Sequence, residues 1–361
     1  MLALAANDIT INASASIKVT TSITISGMGV VFENTGTYTP VDGVVSIGEL
    51  GELCNRCIQL SDGFNSFGME QGRYVCCLLT ISLPDEDVSS SSVIWYCRKS
   101  VTGFTPPQPR FATIRRDRKL AEKQFLPLYL PSMEGLTVFH RMAFLEDGAV
   151  RYISDEEEII GFGHDSHKPI NASPYEEKQA APVSTSAQLL FYDVELYHNG
   201  VIADRVHCEI DGNSYIQSRE FLYLNMFGVQ DSIILRGDEE ETQEMEASFN
   251  YANTIYQKYD SSLTEKHKTN SGWVDMDDLN AVYDMVESPY VAIRDGNQFI
   301  PVVITEVEIK LTRPSNGPKA VFVTWRYADK RDMRRVALSE VSPSVTEQSV
   351  FEKPPFDGSF T

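Results

Sequence analysis

Residues 272–304 read GWVDMDDLNAVYDMVESPYVAIRDGNQFIPVVI, and this stretch decides the fold. Met276, Leu279, Val282, Tyr283, Met285 and Val286 share one face of a 3.6-residue repeat, which predicts an amphipathic helix over 275–287. Asp275 is placed to cap it, and Asp278 puts an acid near its positive end. Ser288-Pro289 ends it, because the residue before a proline avoids the helical region. β-Structure is expected at once: Tyr290–Arg294, an Asp295-Gly296-Asn297 turn, and Phe299–Ile304. Two more runs, near Val307–Leu311 and Ala320–Tyr327, are separated by Pro314-Ser315-Asn316-Gly317-Pro318. Asp-Gly supplies the positive φ angles of a tight hairpin. The expectation is one helix packed on a meander of strands, a scaffold with nothing in it arranged for chemistry.

The rest of the chain is also β in pattern. Asn7–Ser26 alternates between apolar and Thr/Ser positions, the period of a half-buried strand, with a break expected near Thr20-Thr21. Val30–Phe32, Val44–Ile47, Tyr74–Leu83 and Val93–Cys97 read as further strands, with Ser89–Ser92 as a loop. Gln188–Tyr197 and Val201–Ile210 flank His198-Asn199-Gly200, a strong hairpin signal. Phe249–Tyr259 fits a strand or a short helix equally. The fold class expected is mainly β: antiparallel β-sandwich domains with a C-terminal α+β unit built from one amphipathic helix and a strand meander. The domains expected are an N-terminal sandwich (1–103), a Pro-rich linker with a basic segment (104–123) and strands with a long exposed loop (124–183). A C-terminal β-rich domain (184–330) and a polar tail (331–361) complete the set.

Composition sets bounds. The 361 residues suffice for two or three cores, and the formal charge of −20 argues against direct nucleic-acid binding or attraction to an anionic bilayer. No apolar run approaches the length of a membrane helix, and the short apolar start lacks a positive leader, so membrane insertion is not expected and synthesis in a cytoplasm is. Six cysteines cannot staple a chain of this length, and Cys76-Cys77 are adjacent, so reduced thiols are expected.

Candidate chemistry is sparse. Cys54-x-x-Cys57 with Cys76-Cys77 offers four sulfurs, but the second pair lacks the two-residue gap of a zinc knuckle. His164-x-x-His167 with Asp165 and the acids Asp155–Glu158 is the one histidine cluster, in what reads as an exposed loop. There is no Gly-x-Ser-x-Gly and no phosphate loop. No enzyme, cofactor or catalytic residue is assigned. The most unusual local feature is basic: Arg110, Arg115, Arg116, Arg118, Lys119 and Lys123 fall within 14 residues of a strongly acidic chain. They are expected to be exposed, either as a docking surface for an acidic partner or as plain solvated surface. A second basic cluster comprises Lys330, Arg331, Arg334 and Arg335.

Three segments together resemble tail-tip and baseplate structural proteins of tailed bacteriophages, of the distal-tail type. They are the basic segment leading into Gln124-Phe125-Leu126-Pro127-Leu128-Tyr129-Leu130; the run from Phe221 to Ser232 with Asn225-x-x-Gly228 and Gly237 following; and Gly272-Trp273 with its helix, Ser288-Pro289-Tyr290-Val291 and Ile300–Ile304. The resemblance covers the last two-thirds of the chain and leaves the N-terminal sandwich aside. It implies a virion protein made in the host cytoplasm, a ring subunit that contacts copies of itself and other virion proteins. A rival expectation is a β-sandwich carbohydrate-binding or adhesin module, with Trp95, Trp273 and Trp325 as stacking platforms, although the sequence around each favours burial.

Overall fold

The computed structural model describes residues 9–26, 28–59, 76–83, 88–98, 109–131, 133–159, 167–213, 218–252, 255–296, 298–310 and 319–328. Strands dominate, and antiparallel pairing dominates among them. Contacts gather Met1–Asp329 into one compact unit; the expected tail and the second basic cluster fall outside the described residues.

The N-terminal part pairs β1 (Ile9–Asn12) with β4 (Val44–Ile47), and builds a four-stranded sheet from β2 (Ile17–Ile25), β3 (Gly29–Tyr38), β5 (Cys76–Leu83) and β6 (Val88–Trp95) in the order β3-β2-β5-β6. The alternation in β2 does what period two predicts: Val19, Ile23 and Ile25 are buried and their neighbours are not. The break falls before Ile17 rather than at Thr20-Thr21. Ser89–Ser92, expected as a loop, pair with Leu79–Ser82 as an exposed edge strand, and Ser91 Oγ lies 2.8 Å from Thr80 Oγ1. Helix α1 (Leu50–Gln59) was not foreseen; Leu50, Cys54 and Ile58, four residues apart, form its buried stripe. Asn55 clamps it to the sheet by donating to the Cys97 carbonyl at 2.9 Å while accepting from the Cys97 amide.

A five-stranded sheet follows, in the order β10-β9-β12-β13-β7. It comprises β7 (Asp117–Leu120), β9 (Leu136–Glu146), β10 (Ala149–Ile159), β12 (Gln188–His198) and β13 (Val201–Ile210). The β12–β13 hairpin turns at Asn199 and Gly200, both with positive φ, as the sequence predicts. Beside it β8 (Pro127–Pro131) pairs with β11 (His167–Asn171), and α2 (Pro174–Ala180) leads back toward β12. This arrangement corrects the expected boundary near residue 183, which divides strands of one sheet. It also corrects the acidic loop: Asp155–Glu158 lie in β10, an edge strand where charge protects an open edge.

The last sheet has seven strands in the order β15-β14-β18-β19-β20-β17-β16. They are β14 (Arg219–Leu224), β15 (Gln230–Leu235), β16 (Glu239–Ala252), β17 (Ile255–Asn270), β18 (Val291–Asp295), β19 (Gln298–Lys310) and β20 (Ala320–Tyr327). Helix α3 (Met276–Val286) begins as foreseen, with the Asp275 carboxylate accepting from the Asp278 amide at 2.8 Å. Its Leu279, Val282 and Met285 bury against Phe221, Tyr223, Ile233 and Trp325 of the sheet. At 11 residues it is the longest helix among those described.

Candidate assembly surface and cleft

The basic segment is not the exposed linker it was expected to be. Phe111, Ala112 and Thr113 are buried, and β7 inserts beside β13 in parallel. Arg118 is fully enclosed, and its guanidinium grips both Asp231 oxygens at 2.6 and 3.0 Å, with Thr113 Oγ1 as a third partner. Burial alone would raise the Asp231 pKa, but the Arg118 charge and hydrogen bonds outweigh it and hold the carboxyl below its ordinary value. Arg115, also buried, donates to the Ser232 carbonyl at 3.0 Å and to Asp278 of α3 at 2.6 Å. Arg116 pairs with Asp204 at 3.0 Å. From the N-terminal part, Arg98 reaches Asp284 of α3 at 2.5 Å. These arginines therefore lock the layers of the chain together, and the expectation of exposed Arg115 and Arg118 side chains is overturned. Arg110, Lys119 and Lys123 are exposed.

Two surface features remain. The first is an arm. β17 pairs with β20 only from His267 to Asn270, so the hairpin beyond that point is a two-stranded ribbon. Its distal half carries Met245, Phe249, Tyr251, Tyr256 and Tyr259, each at least 60% exposed. The Tyr251 and Tyr256 ring centroids lie 4.9 Å apart with the planes tilted by 54°, and Tyr259 is the extra residue of a bulge opposite Ser248 and Phe249. Nearer the sheet the ribbon is acidic, with Glu240, Glu241, Glu244 and Glu246 exposed. Within the undecided run, Phe249–Ala252 and Ile255–Tyr259 are thus strand.

The second feature is a cleft of 890 Å³ where the turn after β13 meets the start of α3. Asp211, Asn213, Arg236, Asp275 and Lys319 line it, together with Lys119 from the basic segment. Trp273 stands on it at 72% exposure, whereas Trp95 and Trp325 are buried as expected of all three. A smaller hollow of 290 Å³ shares Lys119, Arg236 and Trp273 with it.

The sequence-level metal candidates fare differently. Cys54 and Cys77 lie close enough to hydrogen-bond; that bond lowers the Cys54 thiol and, with burial, raises Cys77, while burial raises Cys57. His164 and Asp165 lie outside the described residues. His167 is not on an exposed loop: it is buried in β11 against the edge of Trp95, and burial pushes its pKa down to about 3. A cluster the sequence analysis missed is Glu241, Glu265 and His267, each offering one ligand atom within 4.8 Å of the others.

The fold and these surfaces define a mainly β protein with an exposed arm, a cleft and a charged interior lock. No protein-family profile matches the chain, and no curated protein matches it. Among the described residues no helix is long and apolar enough to cross a membrane.

Proposed function

We propose that this chain is a structural subunit of a bacteriophage virion, a tail-tip, baseplate or connector ring component without enzymatic activity. The observation that carries the reading is the arm. An isolated two-stranded ribbon is marginal in water, and five exposed aromatic or thioether side chains on one are a liability unless a partner covers them. A second copy of this chain is the occupant that fits. The exposed Arg110, Lys119 and Lys123 of a neighbour complement the arm's exposed glutamates. A ring joins unlike faces of successive subunits, which an arm on one side satisfies. Sedimentation velocity with negative-stain imaging tests this. Closed rings should form as concentration rises, and Phe249→Ser with Tyr251→Ser and Tyr256→Ser should leave a folded monomer. A wild-type chain that stays monomeric at high concentration refutes self-assembly through the arm.

A second reading, a carbohydrate-binding module, is supported by one feature. An indole standing free over a cleft of mixed hydrogen-bond donors and acceptors suits stacking on a sugar ring. Trp273 fluorescence titrated with glycans decides it, with Trp273→Ala as the control. Saturable binding that the variant loses supports a glycan site, and no response to any glycan removes it.

A further inference from the structure

The arm leaves the sheet at His267, where one imidazole and two carboxylates gather on one face of the ribbon. Glu241 sits directly opposite His267 in the β16–β17 register, and Glu265, two residues away on β17, projects to the same face. His267 is 4% exposed, and its ring stacks on Trp325 with centroids 4.1 Å apart. Nδ1 lies 3.1 Å from Glu239 Oε1, and Glu239 is itself gripped by Arg219 through two contacts of 2.9 and 3.0 Å. That carboxylate can only accept, so Nδ1 carries a proton toward Glu239, and Nε2 is the ring atom turned to Glu241 and Glu265. Nε2 makes no aligned hydrogen bond, although Glu265 Oε1 is only 2.7 Å away. A buried ring nitrogen this close to a carboxylate needs a shared cation between them, a proton or a metal ion, and a second carboxylate, that of Glu241, reaches the same point. Among the described residues no lysine or arginine pairs with Glu241 or Glu265; Lys266 and Lys268, on the opposite face, pair with Glu244 and Glu308.

We propose that this cluster binds one divalent transition-metal ion, of which Zn²⁺ is the representative, through His267 Nε2 and the carboxylates of Glu241 and Glu265. One imidazole with two carboxylates suits zinc better than magnesium or calcium, which prefer all-oxygen sets. Water completes the coordination on the exposed Glu241 side. Glu239 and Arg219 act as the outer shell that orients the imidazole, the usual support for a metal-bound histidine. The ion ties both strands of the arm together at the last point where a third strand supports them, so it fixes the angle at which the arm departs. The site belongs to a single chain and stands whether or not the subunits assemble.

The experiment is isothermal titration of the purified full chain with ZnCl₂ after chelator treatment, run beside CoCl₂ spectroscopy and MgCl₂ as a control. One zinc per chain is expected, with no saturable magnesium binding. Cobalt should show no thiolate charge-transfer band, which separates this site from the cysteines. Glu241→Gln removes an exposed ligand without disturbing the core and should weaken zinc binding at least tenfold; Glu265→Gln should do the same. Zinc should slow hydrogen exchange of the amides in β16 and β17 around Glu241 and His267, and not in Glu241→Gln. Absence of zinc binding overturns the proposal. So does binding of unchanged strength in both variants, or a cobalt spectrum with thiolate bands.

Discussion

The Arg118–Asp231 pair offers the sharpest test of how the layers are held together. Arg118 has no exposed side-chain surface and Asp231 has 3%. Substituting Asp231→Asn keeps the shape but removes the charge, and turns an amide donor toward a guanidinium that only donates. The Asn oxygen can keep the Ser232 amide, now 2.8 Å from Asp231 Oδ1, but not both Arg118 contacts. Leaving a buried charge unpaired costs about 3–5 kcal/mol, out of a total stability of about 5–15 kcal/mol. Urea unfolding followed by tryptophan fluorescence should show the midpoint falling by that amount with little change in slope. The double substitution Arg118→Met with Asp231→Leu removes both charges, and should recover most of the loss because the pair also carried a desolvation cost. Because Asp231 is held below its ordinary pKa, its contribution is present above pH 4 and is lost as acid protonates the folded carboxyl. Stability should therefore be flat with respect to this pair from pH 5 to 8. A loss under about 1 kcal/mol for Asp231→Asn, or a double variant no more stable than Asp231→Asn, refutes the account.

Two further predictions rest on separate contacts. A Cβ at Gly237 would lie 2.7 Å from Asn270 Cβ and 2.8 Å from its carbonyl oxygen, so Gly237→Ala should cost about 1–3 kcal/mol, and an unchanged urea midpoint would show that the backbone yields. Burial disfavours charge on His140, but its 2.7 Å contact with Glu177 prevails and raises its pKa. The stabilisation is complete below the ordinary histidine pKa near 6.5 and disappears as pH rises through the folded value. NMR titration should thus find His140 titrating above the ordinary histidine value, and the protection of α2 amides, corrected for intrinsic exchange, falling at alkaline pH.

Much of the fold is legible in the sequence where one signal is unopposed. The α3 face, its Asp275 cap and the Asn199-Gly200 hairpin each rest on local chemistry, and each lies where expected. Other parts are legible only with the third dimension. In β7 the period-two pattern is present, since Arg118 and Leu120 are buried while Asp117 and Lys119 are exposed, but charges fill both faces and disguise it as surface. The i, i+4 stripe of α1 is present in the sequence too, but Cys54-x-x-Cys57 within it also has the spacing of a ligand pair. Asp231 and Asp278, which neutralise the basic segment, lie more than 110 residues further on, and nothing local announces them. The Glu241–His267 pairing is a matter of hairpin register, which a run able to be strand or helix does not fix. Trp273 follows a glycine in an apolar context, and only the lie of the chain shows it to be exposed.

The inward-pointing arginines also dictate the order in which the chain can mature on the ribosome. Arg98, Arg115 and Arg118 are made early, but their carboxylate partners are Asp284, Asp278 and Asp231. β7, likewise, has no strand beside it until β13 is made. A nascent chain halted after about residue 220 holds unneutralised guanidinium groups where its interior should close, and such sites resist collapse until the acids arrive. Long sequence separations also slow the search for native contacts. The N-terminal sheet should accordingly not reach its finished form as synthesis proceeds, and truncations ending before α3 should be held by chaperones rather than accumulate as folded fragments.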